Sequence, residues 1–452
     1  MAWLGLVLLA LIALGLVFTG LPAFVVLIAV SIVGAAAGWM IPSVPMDLLN
    51  ALPGRLVGLL ENDLLQALPL FVLMGALLDR LRVIDALFDV SVGLFRRGAA
   101  APLVSGLALG AVMGPMNGSV GASVMALSRA VAPRLASAGV AAPARHAAIA
   151  VASTFGVVIP PSLVLILLGD AMLSAHTIAL NATGRHDRIV NTQDVFQGAL
   201  VPGLAFVALS LLVAWGIGRR LARRATGCVA YDRISRRSAA LAAGTLAFLV
   251  ALLAGVVLGY FYAVEAAALG AFVLLVVGVA SRRLRGEMLA ELLRDVMATS
   301  GALFALLVGA TTLTLMLRIY GTDLLVADWI TGMPGSGRGV VAAVLGCIGL
   351  AAFVLDAFEI IFVIVPIVVP PLLVRAPDAV WVAVLVLLAL QASFLLPPFG
   401  YALMMARSAM KETVPLGAVL RALAPFLAVQ AIVLIAVFLF PELVHLGGYA
   451  SL

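Results

Sequence analysis

Charge is scarce in this chain. Asp, Glu, Lys and Arg make up 11% of its 452 residues, against 64% hydrophobic residues, and the mean hydropathy is +1.23. A soluble domain of this length needs far more charge to stay in solution, so that class is excluded. Cysteine is nearly absent: Cys228 and Cys347 lie far apart, which rules out a zinc-ligand spacing and a disulfide framework. The four histidines, His146, His176, His186 and His445, are scattered without metal spacing. Alternating strand-length segments are missing, which argues against a membrane barrel. No Gly-x-x-x-x-Gly-Lys-Ser/Thr loop appears, so an ATP-driven pump is unsupported. Neither HExxH, nor paired aspartates on facing helices, nor a Ser–His arrangement at membrane depth points to an intramembrane enzyme. The first twenty residues lack the basic start and small-residue cleavage site of a signal peptide and read as a retained first helix.

What is present is apolar sequence in helix-length runs. A helix needs about 20 mostly apolar residues to cross a bilayer. Such segments fall at 2–20, 22–40, 56–79, 100–132, 145–175, 196–221, 238–261, 264–281, 298–319, 339–372, 378–410 and 416–441. The expected architecture is an all-α polytopic membrane protein. The net charge of +6 says little about nucleic acid, because the arginines cluster in short loops. They gather at 80–82 and Arg96–Arg97, at 219–237, at 282–294, and around Arg407, Lys411 and Arg421. By the positive-inside rule these loops face the cytoplasm. The loops at 41–54, 176–195 and 321–338 face out, as does the N-terminus.

Four of the apolar segments are broken. GPMNGSVGAS (114–123) interrupts the first, with basic residues at both ends of the segment: Arg96 and Arg97 before, Arg129 and Arg134 after. A mid-depth turn with cytoplasmic charge on both sides predicts a re-entrant hairpin. The segment 339–372 has the same plan, with its break at VLDAFE, but starts from the outer side. Each hairpin is followed by a helix broken at a double proline, STFGVVIPPS (153–162) and SFLLPPFG (393–400). The same order of parts from opposite sides predicts an inverted-topology repeat, whose paired breaks mark a transporter's binding site. Irregular backbone survives in lipid only against protein or a polar cavity. Proline removes a donor and frees the carbonyl four residues earlier. Freed carbonyls and serine hydroxyls suit a hard cation, and a helix N-terminus favours an anion such as carboxylate. The two interruptions are therefore expected to meet around one polar chamber. Gly and Pro are also common in membrane helices, but four breaks in two matching pairs are not explained that way.

At these residues the chain resembles, over essentially its whole length, the large membrane subunit of tripartite ATP-independent periplasmic (TRAP) transporters, the DctM-like family. GPMNGSVGAS resembles the family's first hairpin tip, and STFGVVIPPS its Gly-x-x-x-Pro-Pro-Ser segment. YAVEAAALGA (262–271) is similar to its Thr-Pro-Thr-Glu-Ala-Ala stretch. VLDAFEIIFVIVPIVVP and LLPPFG resemble its second hairpin and second double-proline break. The resemblance implies sodium-driven uptake of an organic anion, here a monocarboxylate or 2-oxo acid, in the bacterial inner membrane. It implies two partners, a periplasmic solute-binding protein (DctP-like) and a small four-helix membrane subunit (DctQ-like), with no cofactor beyond the coupling Na⁺. It also implies an elevator: scaffold helices at 1–80, 195–297 and 298–338, transport repeats at 98–176 and 339–412, and a C-terminal helix at 413–452. A self-sufficient ion-coupled anion transporter is the alternative.

The sodium ligands implied are Asn117, Gly118, Ser119, Thr154 and Gly156 in the first half, and Asp356, Pro397 and Gly400 in the second. Substrate contacts fall on Ser119, Ser123, Ser162, Asp356 and Glu359. The prolines that break the helices are Pro115, Pro160, Pro161, Pro397 and Pro398. Asn117 stands where serine is usual and keeps a side-chain oxygen. Leu396 replaces a common threonine and removes a hydroxyl from the second site. Tyr262, Ala263 and Val264 replace Thr-Pro-Thr, so the usual N-cap hydroxyl before Glu265 is missing.

Single residues carry alternative readings. A charge at membrane depth suggests function, so Asp356 is a ligand or only a hairpin cap, and Glu359 a ligand or the partner of an internal polar group. Glu265 reads as a helix-start carboxylate, and Asp170 as a helix-end residue near the outer surface. Ser119 and Ser123 share a helical face, with small-residue packing an alternative for Ser123. Arg318, near an outer helix end, snorkels or attracts an anion. His146 is expected at the cytoplasmic interface, and the arginines of 219–237 beside anionic lipid.

Overall fold

Apolar chain in a bilayer must satisfy every backbone group internally, and a helix does so within one segment. The computed structural model describes residues 1–41, 44–81, 83–94, 100–117, 119–222, 236–396, 400–410 and 412–446. Gly118, Pro397 and Pro398 lie outside the described residues, as do Arg82, Arg96, Arg97, Arg223, Arg224, Cys228, Arg233 and Lys411. Among the described residues the regular structure is helical throughout, and seven helices are long and apolar enough to cross a membrane.

The first helices are α1 (Ala2–Thr19), α2 (Ala23–Trp39), α3 (Leu52–Leu60), α4 (Asp63–Arg80) and α5 (Val83–Leu94). The segment 56–79, expected as one helix, is thus two. The basic loop expected after residue 80 contains α5, which is amphipathic rather than uniformly apolar and so escapes a hydrophobicity count. Next come α6 (Ala101–Met113), α7 (Val120–Ala130), α8 (Ala132–Ser137), α9 (Ala142–Val158), α10 (Leu163–Thr183), α11 (Thr192–Ala222), α12 (Arg236–Val257) and α13 (Ala263–Ala280). Glu265 begins α13 as expected, and its carboxylate accepts the Tyr262 N–H at 2.9 Å. That bond supplies one half of a capping box where the hydroxyl half is lost. The chain continues with α14 (Gly286–Ile319), α15 (Thr322–Gly332), α16 (Gly337–Ala351), α17 (Ala357–Glu359), a π-turn (Ile360–Ile364) and α18 (Val365–Arg375). It ends with α19 (Ala379–Ser393), α20 (Tyr401–Met410), α21 (Leu416–Leu439) and α22 (Glu442–His445).

The helices fall into two units. One comprises Met1–Gln66, Leu167–Val195 and Met297–Ser393; the other Ala67–Ile166, Phe196–Val296 and Phe394–Leu452. In the first unit, Ile12, Leu27, Leu306, Leu313, Leu317, Val363 and Ile367 pack α1, α2 and α14 against the π-turn and α18. In the second, α9 is the centre. It is buried over nearly all of its length, and α6, α7, α20 and α21 all pack on it. His146 is buried inside this unit, its Nδ1 2.8 Å from the Ala142 carbonyl. The neighbouring Arg145 takes the surface position and pairs with Glu412 at 2.6 Å.

The limbs of the first expected hairpin are too short to cross a bilayer: at 1.5 Å per residue, α6 and α7 extend about 20 and 16 Å against about 30 Å of hydrocarbon. In the second, α16 extends about 22 Å, but α17, the π-turn and α18 run together over Ala357–Arg375, a helix long and apolar enough to cross. α6 and α7 pack on each other across the turn at 114–119, and α16 packs on α18 across the turn at 352–356.

Candidate functional site: two interrupted helices

The first interruption is built largely from backbone. α6 gives way to a 3₁₀ turn at Gly114–Met116, and Ser119 then starts α7 as its N-cap, its hydroxyl accepting the Ala122 N–H at 3.1 Å. α6 lies almost in main-chain contact with α9. A Cβ on Gly156 would sit 2.3 Å from the Gly114 carbonyl oxygen, and one on Gly110 2.5 Å from the Ala152 carbonyl oxygen. Gly110 and Gly114 are one turn apart, the small-xxx-small spacing that lets membrane helices approach closely.

The break in α9 follows from its prolines. Pro160 has no N–H for the Gly156 carbonyl, and Pro161 none for Val157. The Val157 carbonyl accepts the Ser162 hydroxyl at 3.1 Å instead. Ser162 also caps α10, accepting the Leu165 N–H at 3.1 Å. The Gly156 carbonyl is left without its helical donor.

These features enclose a crevice of about 10 Å³ bordered by Gly114, Pro115, Ser119, Ser153 and Gly156, the size of a single water molecule. Ser119 and Ser153 contribute hydroxyls. Ser153 donates to the Ala150 carbonyl at 2.7 Å, which leaves its lone pairs for a cation. The rest of the lining is apolar, from Val120, Val157, Leu163 and Val164, so the oxygens available to a small hard cation are the serine hydroxyls and backbone. Ser153 was missed in the sequence, where Thr154 beside it was singled out. Thr154 is fully buried and donates to the Val151 carbonyl at 2.8 Å, away from the crevice lining. Asn117 is also buried, and its Nδ2 donates to the Ser123 hydroxyl at 3.1 Å. Ser123 in turn donates to the Ser119 carbonyl at 3.2 Å. Asn117 and Ser123 therefore brace the turn.

α20, the helix after the second double proline, lies in the same unit and packs on α7 and α9. A Cβ on Gly121 would sit 2.6 Å from the Tyr401 hydroxyl oxygen. The Ala402 N–H donates to the Phe394 carbonyl at 3.0 Å across the break. Gly400 is buried, and its carbonyl accepts the Met404 N–H at 2.9 Å, opening α20.

The second interruption lies in the other unit and is built from carboxylates. Asp356 is the N-cap of α17, accepting the Ala357 N–H at 2.7 Å, and Glu359 accepts the Asp356 N–H in return. This reciprocal pairing is a capping box. Glu359 is 4% exposed. It is the polar residue in the wall of a cavity of about 290 Å³, otherwise lined by apolar side chains such as Leu9, Ile12, Leu27, Val354 and Val363. The π-turn follows at once, a form often found at functional sites. Asp170, expected at a helix end, lies within α10, where its Oδ1 accepts from Asn62 Nδ2 at 3.2 Å. That side-chain partner is what an interior carboxylate needs and a periodicity reading cannot supply.

Fold and interruptions together define a polytopic membrane transporter. The chain is similar in structure to the Alcanivorax borkumensis YdaH transporter, whose crystal structure is described as having an unusual topology. The TM-score is 0.57 at 16% sequence identity, covering 87% of this chain and 88% of that one, a likeness of fold alone. No curated protein matches. The model of the family described as tripartite ATP-independent periplasmic transporter, DctM component, matches residues 7–443. This chain belongs to that family, the large membrane component of TRAP transporters.

Proposed function

We propose that this chain is the sodium-coupled permease subunit of a TRAP system, importing an organic carboxylate across the bacterial inner membrane. A periplasmic binding protein delivers the carboxylate, and a small four-helix membrane subunit completes the complex. The reading rests above all on the crevice at the first interruption, where Ser119, Ser153 and Gly156, whose carbonyl lacks its helical donor, border a space the size of one small ion beside apolar side chains. The short limbs of the first hairpin, α6 and α7, support re-entrant insertion there. The common order of hairpin and broken helix supports an inverted repeat that moves as an elevator. Asp356 acts in this reading as a polar ligand of the second half, and Gly400 contributes its backbone there.

The test is uptake of candidate monocarboxylates and 2-oxo acids into proteoliposomes containing this chain, its small subunit and its binding protein. Accumulation is expected with an inward Na⁺ gradient and is expected to vanish when K⁺ replaces Na⁺. Uptake indifferent to Na⁺ would overturn the coupling. Uptake by this chain alone would make it self-sufficient and remove the two partners.

A further inference from the structure

Two arginines left out of the proposed transport site stand together without an acid. Arg55 is half-buried on α3, and Arg318 is exposed one position before the end of α14. Their helices touch. Leu315, Met316, Ile319 and Tyr320 form an apolar cluster on which Met46, Leu49 and Leu52 pack, one turn before Arg55. The Arg318 charge lies within electrostatic range of the Arg55 guanidinium, which is itself partly desolvated. Among the described residues neither guanidinium has a hydrogen-bond or ion-pair partner. Other arginines of the chain, including Arg80, Arg129, Arg134, Arg145 and Arg188, hold carboxylates. Two adjacent, uncompensated guanidiniums lower their repulsion by sharing an oxyanion, and their planar forks match one bidentately.

The surroundings say which oxyanion. Trp3 and Trp329 meet edge to face with ring centroids 5.4 Å apart, and Thr322 ties α15 to the start of α1 through a 3.0 Å bond to the Ala2 carbonyl. The end of α2 packs here too. Tyr320 donates to the Gly34 carbonyl at 2.6 Å, and a Cβ on Gly38 would meet Met46 Sδ at 2.6 Å. Trp39, next in sequence, is 78% exposed. Exposed tryptophans ringing one end of apolar helices mark the headgroup level of a bilayer. Loop charge places this end outside. A phosphodiester is the oxyanion abundant at that depth.

We propose that Arg55 and Arg318 hold the phosphodiester of a phospholipid in the outer leaflet, a lipid site on the first unit. The test titrates the full chain in nonionic detergent with phosphatidylglycerol and counts bound lipid by native mass spectrometry. Diacylglycerol, which has no phosphate, serves as the control. Arg318→Gln alone removes an exposed charge with the fold intact, and Arg55→Gln/Arg318→Gln removes both. About tenfold weaker phosphatidylglycerol binding is expected in the double variant, as losing charge-assisted hydrogen bonds implies, with diacylglycerol binding unchanged. Equal phosphatidylglycerol binding by wild type and both variants would overturn the site. Displacement of the lipid by millimolar inorganic phosphate would overturn the lipid assignment in favour of a free oxyanion.

Discussion

At the first interruption the groups bordering the crevice are neutral: two serines, backbone at glycine and proline, and apolar side chains. At the second, two carboxylates stand side by side and cap each other's turn. The two share a sequence plan of apolar limb, polar break, apolar limb. They differ in what holds them. Glycine-mediated main-chain contact between α6 and α9 fixes the first. Side-chain hydrogen bonds and a π-turn fix the second, next to an open apolar cavity. A shared plan thus yields unlike chemistry, a break bordered by no ionisable side chain in one half and a pair of carboxyl groups in the other.

Several substitutions would break or sharpen this contrast. The largest effect is expected at Gly156, where a side chain would strike the Gly114 carbonyl oxygen. Gly156→Val should destabilise by about 3 kcal/mol, since backbone cannot give way as a side-chain tip can. In the second hairpin, Gly346 has nothing within 4 Å of its would-be Cβ, so Gly346→Ala should be neutral or slightly stabilising. Thermal unfolding in detergent compares them, and equal midpoints would refute the claim that packing holds only the first break. Asp356→Ala should abolish uptake while insertion persists, because losing a cap costs only about 1 kcal/mol. Asp356→Asn keeps the cap, and wild-type transport in that variant would reduce Asp356 to a structural role. Ser119→Ala should raise the Na⁺ concentration for half-maximal uptake about tenfold, the loss of one good ligand, with a stability cost of about 1 kcal/mol. An unchanged sodium response would move the cation elsewhere. The smallest effect belongs to Glu412→Gln, which opens the partly exposed pair with Arg145. A shift below about 1 kcal/mol and normal uptake are expected, and a large loss of uptake would show that this pair serves more than local packing.

Much of this was legible because apolar runs and prolines have few ways to behave in a bilayer. The breaks at 114–119, 159–162 and 352–356 fall where the residues foretold them. The expected helices 264–281 and 416–441 appear at Ala263–Ala280 and Leu416–Leu439. The amphipathic α5 and α15 were hidden in loops, because their apolar faces are too narrow to register in a hydropathy count. α14 begins at Gly286, well before the expected 298, since its first turns carry Glu287, Glu291 and Asp295 outside the apolar stretch. At the site, the cap of Asp356 was readable from residue type, while Ser119 was read only as a ligand. The choice of Ser153 over Thr154 was not readable, because it depends on which way α9 is rotated. The Asn62–Asp170 bond joins residues 108 apart, and no local pattern reports such a pairing.

The glycine seam between α6 and α9 has a mechanical consequence. Two helices that meet backbone to backbone at both Gly110 and Gly114 have no layer of side chains between them to shear. Neither limb can slide or roll past the other without collision. In any rearrangement α6 and α9 would travel as a single piece, and the give would come from joints elsewhere.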